Sequence, residues 1–423
     1  MRILVVGQGA REHVLAWKLS QNPSVERLLA APGNAGVEEL ATCLRIVPSD
    51  IPGLVELVER EAVDFTVVGP EAPLVAGLVD ELESRGYWAF GPTRDGARVE
   101  GSKVWARRLC EKHGIPGPRA RSFQDPKEAA AYLEELDPPY VVKVDGLAGG
   151  KGVTVAETRE EARRALKEAL VDGVFGEAGA TVLVEEHVEG REISALALTD
   201  GRAVIPLMLA QDFKRALDGD RGPNTGGMGA YSPVPWVDAE TQSRIVEEVL
   251  MATVRALEEE GVRYRGVLYA GLMLTGEGPK VLEFNCRFGD PEAQAVLPRL
   301  LSDLGESMLA CMEGNLGVYR LRWTAQTCVT VVLASKGYPA PYPTELEVGG
   351  LDDVREMEDV LIFHGGTARR DGKVVTAGGR VLSVTALGKD LAEARSRAYE
   401  ACSRISFEGM HYRTDIALEA AGG

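Results

Sequence analysis

The chain has 423 residues, 45% of them hydrophobic and 26% charged, which is too long for a single core and too apolar for a disordered chain, so about two to four packed domains are expected. Sixty-four acidic against 47 basic side chains leave a net charge of −17, which excludes a nonspecific grip on nucleic acid or anionic lipid and requires any anionic ligand to find a local basic site. No apolar run approaches the roughly 18 residues of a membrane span, and Met1 opens directly into the strand-like RILVVG, so a cytoplasmic chain without a signal peptide is expected.

Residues 3–6 read as a buried strand, from which GQGAREH turns into a helix carrying Val14, Leu15, Trp17 and Leu19. LVELVERE then reads as helix, DFTVVG as strand, PEAPLVAGLVDELESRG as turn and helix, and YWAFGP as strand. This alternation predicts a parallel, doubly wound sheet over residues 1–101. A helix over 102–113 and the linker-like GIPGPRARSF precede a small α+β unit over 115–190. Its expected elements are a helix over 126–136, the strand YVVKV, a glycine-rich loop, the strand GVTVA, a helix over 159–170 and the strand TVLVEEHV.

EISALALT and AVIPLMLA then alternate like antiparallel strands, a polar stretch spans 211–235, and a helix over 239–260 leads to the strands GVLYAGLML and PKVLEFNCRF. Residues 102–114 and 191–323 are therefore assigned to one larger unit. From Thr327 a strand pattern restarts, and Asp390 with Glu393 forms a capping box for a helix, giving a C-terminal β-rich α+β domain over 324–423. The six cysteines show no C-x-x-C spacing, which favours reduced structural thiols over a zinc site or a disulfide framework. The five histidines are likewise scattered.

Three stretches carry chemistry. In KVDGLAGGKG, residues 143–152, Gly146, Gly149, Gly150 and Gly152 free successive N–H groups to curl round phosphate oxygens, while Lys143 and Lys151 supply charge. Gly152 stands where a Walker loop needs Ser or Thr. In KVLEFNCRFGDPE, Glu283 and Asn285 lie two apart on a strand and face one side, as hard oxygen ligands for Mg²⁺ or Mn²⁺. Arg287 continues that face, where it can stabilise charge on a transferred phosphoryl group. In VLVEEHVEGREIS, Glu185 and Glu186 end an apolar strand; backbone groups of Glu186, His187 and Val188 are expected at an adenine edge and Glu192 at ribose hydroxyls.

Together these three resemble the ATP-grasp family, whose members hold a nucleotide between two α+β lobes. The resemblance places Lys103, in EGSK, and Lys143 on phosphates. It also exposes a departure, since the strand LYAGLML lacks the additional metal carboxylate of many members. GAREH, APGNAG, VGPEAPL, GPNTGGMGAYSP and EFNCRFGDPE are similar to the branch that joins glycine to 5-phosphoribosylamine through glycyl phosphate, using ATP. That branch implies a monomer acting only on small molecules.

The first turn, 7–12, departs from a dinucleotide fingerprint at Glu12, so a dehydrogenase is not expected. By the same resemblance it seats the 5-phosphate, with Gly9, Arg11, Asn34, Glu71 and Asp290 on the sugar-phosphate side. Lys214, Arg215 and Asn224 belong to a glycine-rich stretch that closes over substrates, and Asp212 with Arg287 meets the ammonium and carboxylate of glycine. A purine-pathway carboxylase of the same fold and a noncatalytic nucleotide sensor are the alternatives.

Overall fold

The computed structural model describes residues 1–149 and 152–422; the expectations for Gly150 and Lys151 lie outside the described residues. In the N-terminal part, five parallel strands run in the order Thr42–Cys43, Arg27–Pro32, Arg2–Gly7, Phe65–Val68 and Trp88–Phe90. The sheet is buried on both faces. Ile3 and Val5 pack with Val14, Leu15 and Leu19 of the helix Ala10–Leu19, whereas Leu4 and Val6 pack with Leu54, Leu57 and Val58 of the helix Ile51–Glu61. The continuous apolar run of a doubly wound parallel strand has this cause.

The small unit is an antiparallel sheet in the order Ala120–Phe123, Val182–Glu186, Tyr140–Val144, Val153–Ala156. The helices Pro126–Tyr132 and Arg159–Leu170 close its core, started by side-chain caps from Asp125 and Thr158. A second antiparallel sheet, Val204–Pro206, Arg191–Thr199, Gly266–Thr275, Gly278–Asn285, forms the larger unit. It is backed by a continuous helical run from Ala239 to Glu259 with a wider π-turn at Ile245–Met251. The strand expected over AVIPLMLA shrinks to Val204–Pro206, since Pro206 has no N–H for the ladder.

A third sheet crosses the expected boundary at 324. Gln211–Asp212 and Gly229–Ser232 join Thr327–Ala334, Arg380–Gly388 and Val360–His364. The helix Leu391–Arg404 packs on it, with Asp390 Oδ1 accepting the Glu393 N–H as expected, while Glu393 reaches back to the Lys389 N–H and not to that of Asp390. Two further helices, Glu292–Val296 and Leu304–Glu313, carry no periodic signal. The second is buried at Leu304, Gly305, Ser307, Met308, Ala310, Cys311 and Met312, so no polar stripe marks it in the sequence. Among the described residues no helix is long and apolar enough to cross a membrane.

Candidate active site

The three sheets and the N-terminal domain border one cavity of about 1360 Å³. On its small-lobe side, Lys143 points inward from Tyr140–Val144, meets Glu185 Oε2 at 2.6 Å and donates to the Leu282 carbonyl at 2.7 Å. Lys103, at the start of the helix Lys103–His113, donates to the Gly146 carbonyl at 3.0 Å. Asp145 receives Ser102 Oγ (2.9 Å) and the Val104 N–H (3.1 Å). The glycine loop is thereby tied to the helix carrying Lys103. Gly146, Gly149 and Gly152 line the cavity; Gly146 sits at φ +148° against Ala178, where a Cβ has no room.

The strand end Val182–Glu186 brings both acids to the cavity wall with their carboxylates already paired. The Glu185 carboxylate is held by Lys143 and by Arg107 at 2.9 Å, and that of Glu186 by Arg119 at 2.7 Å. The Glu186 N–H bonds the Arg119 carbonyl at 3.0 Å. Glu185, Glu186, His187 and Val188 all line the cavity, with the Glu186 N–H taken up at the sheet edge.

The large lobe supplies Glu283, Asn285 and Arg287. Arg287 is braced by Glu100 Oε1 (2.8 Å), Asn285 Oδ1 (2.9 Å), Glu71 Oε2 (3.4 Å) and the Phe288 carbonyl (3.2 Å). Glu100 also accepts from Cys286 N and Sγ, and burial pushes its carboxyl up despite Arg287. Burial would raise Glu283 as well, but Lys214, Lys143, Lys103 and Arg287 outweigh it and hold its carboxyl below the usual range.

Glu283 and Asn285 offer two hard oxygens, and no group of three or more acidic, histidine or cysteine side chains able to hold a metal exists among the described residues. This donor set fits a hard divalent ion only when phosphate oxygens and water complete the shell.

Lys214 stands among carboxylates. It is paired with Glu192 and lies 3.8 Å from Glu283. Burial would lower its ammonium, but Glu192, Asp212 and Glu283 push it well above the usual value. Asp212 is pushed well up by burial and by the charges of Glu292, Glu192 and Glu283, against the pull of Lys214. Glu292 is fixed by Tyr269 (2.5 Å) and Ser194 (3.0 Å), both on Oε1.

At the N-terminal wall, Glu12 fills the fingerprint's missing-glycine position. Its carboxylate accepts the Gly9 N–H (2.5 Å) and Arg11 Nε (2.6 Å), and a Cβ at Gly7 or Gly69 would overlap it. Arg11 and Glu71 line the cavity, and Arg287 and Arg11 hold the Glu71 carboxyl low against burial. Asp290 Oδ1 accepts from Gln294 (2.7 Å) and lies 3.1 Å from Arg380.

Asn34 corrects an expectation. Its amide donates to the carbonyls of Gln8 (2.9 Å) and His364 (2.6 Å) and accepts the N–H groups of Gly36 and Val37 at 3.0 Å. It is a buried cross-brace, because an Asn at a turn can satisfy its own backbone as readily as a sugar. His13 braces the same seam, accepting the His364 N–H at 2.8 Å; burial, then His364, lowers it to about 3.

The polar stretch after Asp212 is a hairpin, Arg215–Leu217 with Arg221–Asn224, pinned by Arg413 on Asp220 (2.7 Å) and by Asp415 on the Gly219 N–H (2.8 Å). Lys214, Arg215 and Asn224 line the cavity from it. Sequence reasoning missed Tyr338 and Arg380. Tyr338 Oη accepts the Gly226 N–H (3.0 Å), and Arg380 Nη1 donates to the carbonyls of Gly226 (2.6 Å) and Asp290 (2.8 Å). No local pattern marks either residue.

The chain matches three family models in succession: the phosphoribosylglycinamide synthetase N domain over residues 1–100, the ATP-grasp (A) domain over 101–293 and the C domain over 328–419. It is 48% identical over 417 residues to phosphoribosylamine–glycine ligase of Caldanaerobacter subterraneus subsp. tengcongensis, covering 99% of both chains. It is 47% identical to the human trifunctional purine biosynthetic protein adenosine-3, covering 99% of this chain and 42% of that one. The crystal structure of phosphoribosylamine–glycine ligase from Thermotoga maritima superposes with a TM-score of 0.86 at 35% identity, covering 99% of this chain and all of that one. A biotin carboxylase complex from Campylobacter jejuni, 14% identical, shares the fold with a TM-score of 0.76 over all of this chain and 95% of that one.

Proposed function

The chain belongs to the phosphoribosylglycinamide synthetase family, and from that premise we propose that it is an ATP-dependent ligase of purine biosynthesis, joining glycine to 5-phosphoribosylamine in the cavity described. The observation that carries the reading is the convergence of Lys103, Lys143, Glu283, Asn285 and Arg287 on one cavity that also reaches Arg11 and Glu71.

A carboxylate does not condense with an amine in water until one oxygen becomes part of a leaving group. A glycine carboxylate oxygen attacks the γ-phosphorus of ATP, the bond to the β–γ bridging oxygen breaks, and ADP leaves with that electron pair. The phosphoribosylamine nitrogen then attacks the acyl carbon of glycyl phosphate. Phosphate departs with the carboxylate oxygen, and the nitrogen gives up a proton. The products are glycinamide ribonucleotide, ADP and phosphate.

Phosphoryl transfer needs positioning and charge neutralisation more than a base. Lys103 and Lys143 provide charge beside the glycine loop, and His187 with Val188 offers backbone to the base. Glu283 and Asn285 would hold Mg²⁺ or Mn²⁺ on the phosphates, where the ion neutralises charge. Asp212 and Glu292 make a negative seat for the glycine ammonium. Arg287 faces its carboxylate. Gly9, Arg11, Glu71 and Asp290 face the phosphoribosylamine.

An ADP-release assay tests the reading. ADP should form only when glycine and phosphoribosylamine are both supplied. Release driven by bicarbonate without glycine would point to a carboxylase, and binding of ATP without turnover would reduce the chain to a sensor.

A further inference from the structure

Behind the glycine loop lies a buried triad with unequal charge. Arg107, Glu185 and Lys143 are 6%, 1% and 5% exposed. Arg107 Nε (3.2 Å) and Nη2 (2.9 Å) both donate to Glu185 Oε1, while Lys143 Nζ takes Oε2 at 2.6 Å. Two cations therefore share one carboxylate, and the group carries a net charge of +1 away from water. Buried charges ordinarily pair one to one, because an uncompensated charge is costly.

The remaining direct contacts are to carbonyls, and the one further acid that acts on Lys143, Glu283, is divided among Lys214, Lys103 and Arg287 as well. Arg107 Nη2 donates to the Val281 carbonyl at 3.0 Å and Lys143 to that of Leu282. Arg107 Nη1 is buried with no hydrogen-bond partner among the described residues. The space beside it exists because residue 117 is glycine, whose Cβ would overlap Nη1. Both cations border the cavity, Lys143 from the small lobe and Arg107 from the helix Lys103–His113, each on its own oxygen of Glu185.

We infer that Arg107 is a positioning residue that keeps the charge of Lys143 available to the nucleotide, by holding the other oxygen of Glu185 so that the carboxylate cannot fully neutralise the Lys143 ammonium. The incoming phosphates then supply the negative charge that the triad lacks. With Arg107 absent, Glu185 and Lys143 would close into a neutral pair with less pull on ATP. This inference rests on the reading of Lys143 as a phosphate contact.

A double-mutant cycle tests it, with KM for ATP and direct titration with ADP as readouts. Arg107→Gln has a donor where Nε stands and removes the charge together with the Nη2 bonds to Glu185 and Val281; it should raise KM for ATP by about tenfold or more while changing kcat less than about threefold. Arg107→Gln with Glu185→Gln leaves Lys143 charged and unshared, and should return KM to within about threefold of the parent. A double variant binding no tighter than Arg107→Gln, or a single variant binding like the parent, overturns the inference.

If Arg107→Gln does not fold, Arg107→Lys carries the test. It keeps the charge and loses the fork, so KM should stay within about threefold, and a tenfold rise would show that geometry matters instead. Lys143→Ala separates the two readings. Unaltered ATP affinity there would remove the nucleotide assignment itself, whereas weakened affinity without coupling between 107 and 185 would remove only the role of Arg107.

Discussion

Lys143 and Lys214 line one cavity from different lobes and carry the same ammonium group, yet their surroundings differ in charge. Lys143 shares a single carboxylate with Arg107, so its wall has positive charge in excess. Lys214 sits among Glu192, Glu283 and Asp212, so its wall has negative charge in excess. The contrast teaches that a lysine's task is set by how many acids it must divide itself among. The first wall suits phosphates, and the second suits cations, namely a substrate ammonium and a divalent ion.

The largest effect should come from breaking the positive wall. Lys143→Ala is expected to lower turnover by roughly two to three orders of magnitude, as for the loss of one preorganised transition-state donor. Steady-state assays at saturating ATP check this, and turnover like the parent's would erase the distinction between the walls. On the negative wall, Glu283→Gln removes one of two hard protein oxygens. The divalent-ion concentration for half-maximal activity should rise by roughly 10- to 100-fold, measured by titrating Mg²⁺ or Mn²⁺ at fixed ATP; an unchanged curve would move the ion elsewhere.

The smallest effect sharpens the comparison through pH. The folded-state pKa of Asp212 is raised by burial and neighbouring acids, so the native state holds this proton more tightly than the unfolded chain. Its stabilising contribution is full below the unfolded value of about 3.9 and is lost as pH rises through the raised folded value. Asp212→Asn should therefore melt higher than the parent at neutral pH without ligand, by a margin that vanishes near pH 4, while its KM for glycine increases. Thermal melts across pH check the sign, and a lower melting point at neutral pH would contradict it.

Much of this was legible because it is local. Glu283 and Asn285 lie two apart on one strand with Arg287 just past its end, and Lys143 lies one residue before the end of an apolar strand that leads into a glycine run, so periodicity and turn chemistry mark them before any tertiary contact is known. The doubly wound N-terminal sheet was legible for the same reason.

What stayed hidden depends on partners far along the chain. Arg107 acquires its place only when residues 185 and 281 reach it, and Arg380 only when residues 226 and 290 do. Glu292 sits inside a recognisable run, but Tyr269 and Ser194 hold it from other strands. Asn34 failed in the other direction. Its turn invited a ligand, and nothing in the one-dimensional pattern says that its amide points into the seam with His364.

The central claim is that the cavity activates the glycine carboxylate by phosphoryl transfer. Glycine labelled with ¹⁸O in both carboxylate oxygens tests it most directly. If the account holds, each turnover moves one labelled oxygen into the released phosphate and leaves the other in the new amide. Phosphate released without label, alongside labelled amide product, would contradict it.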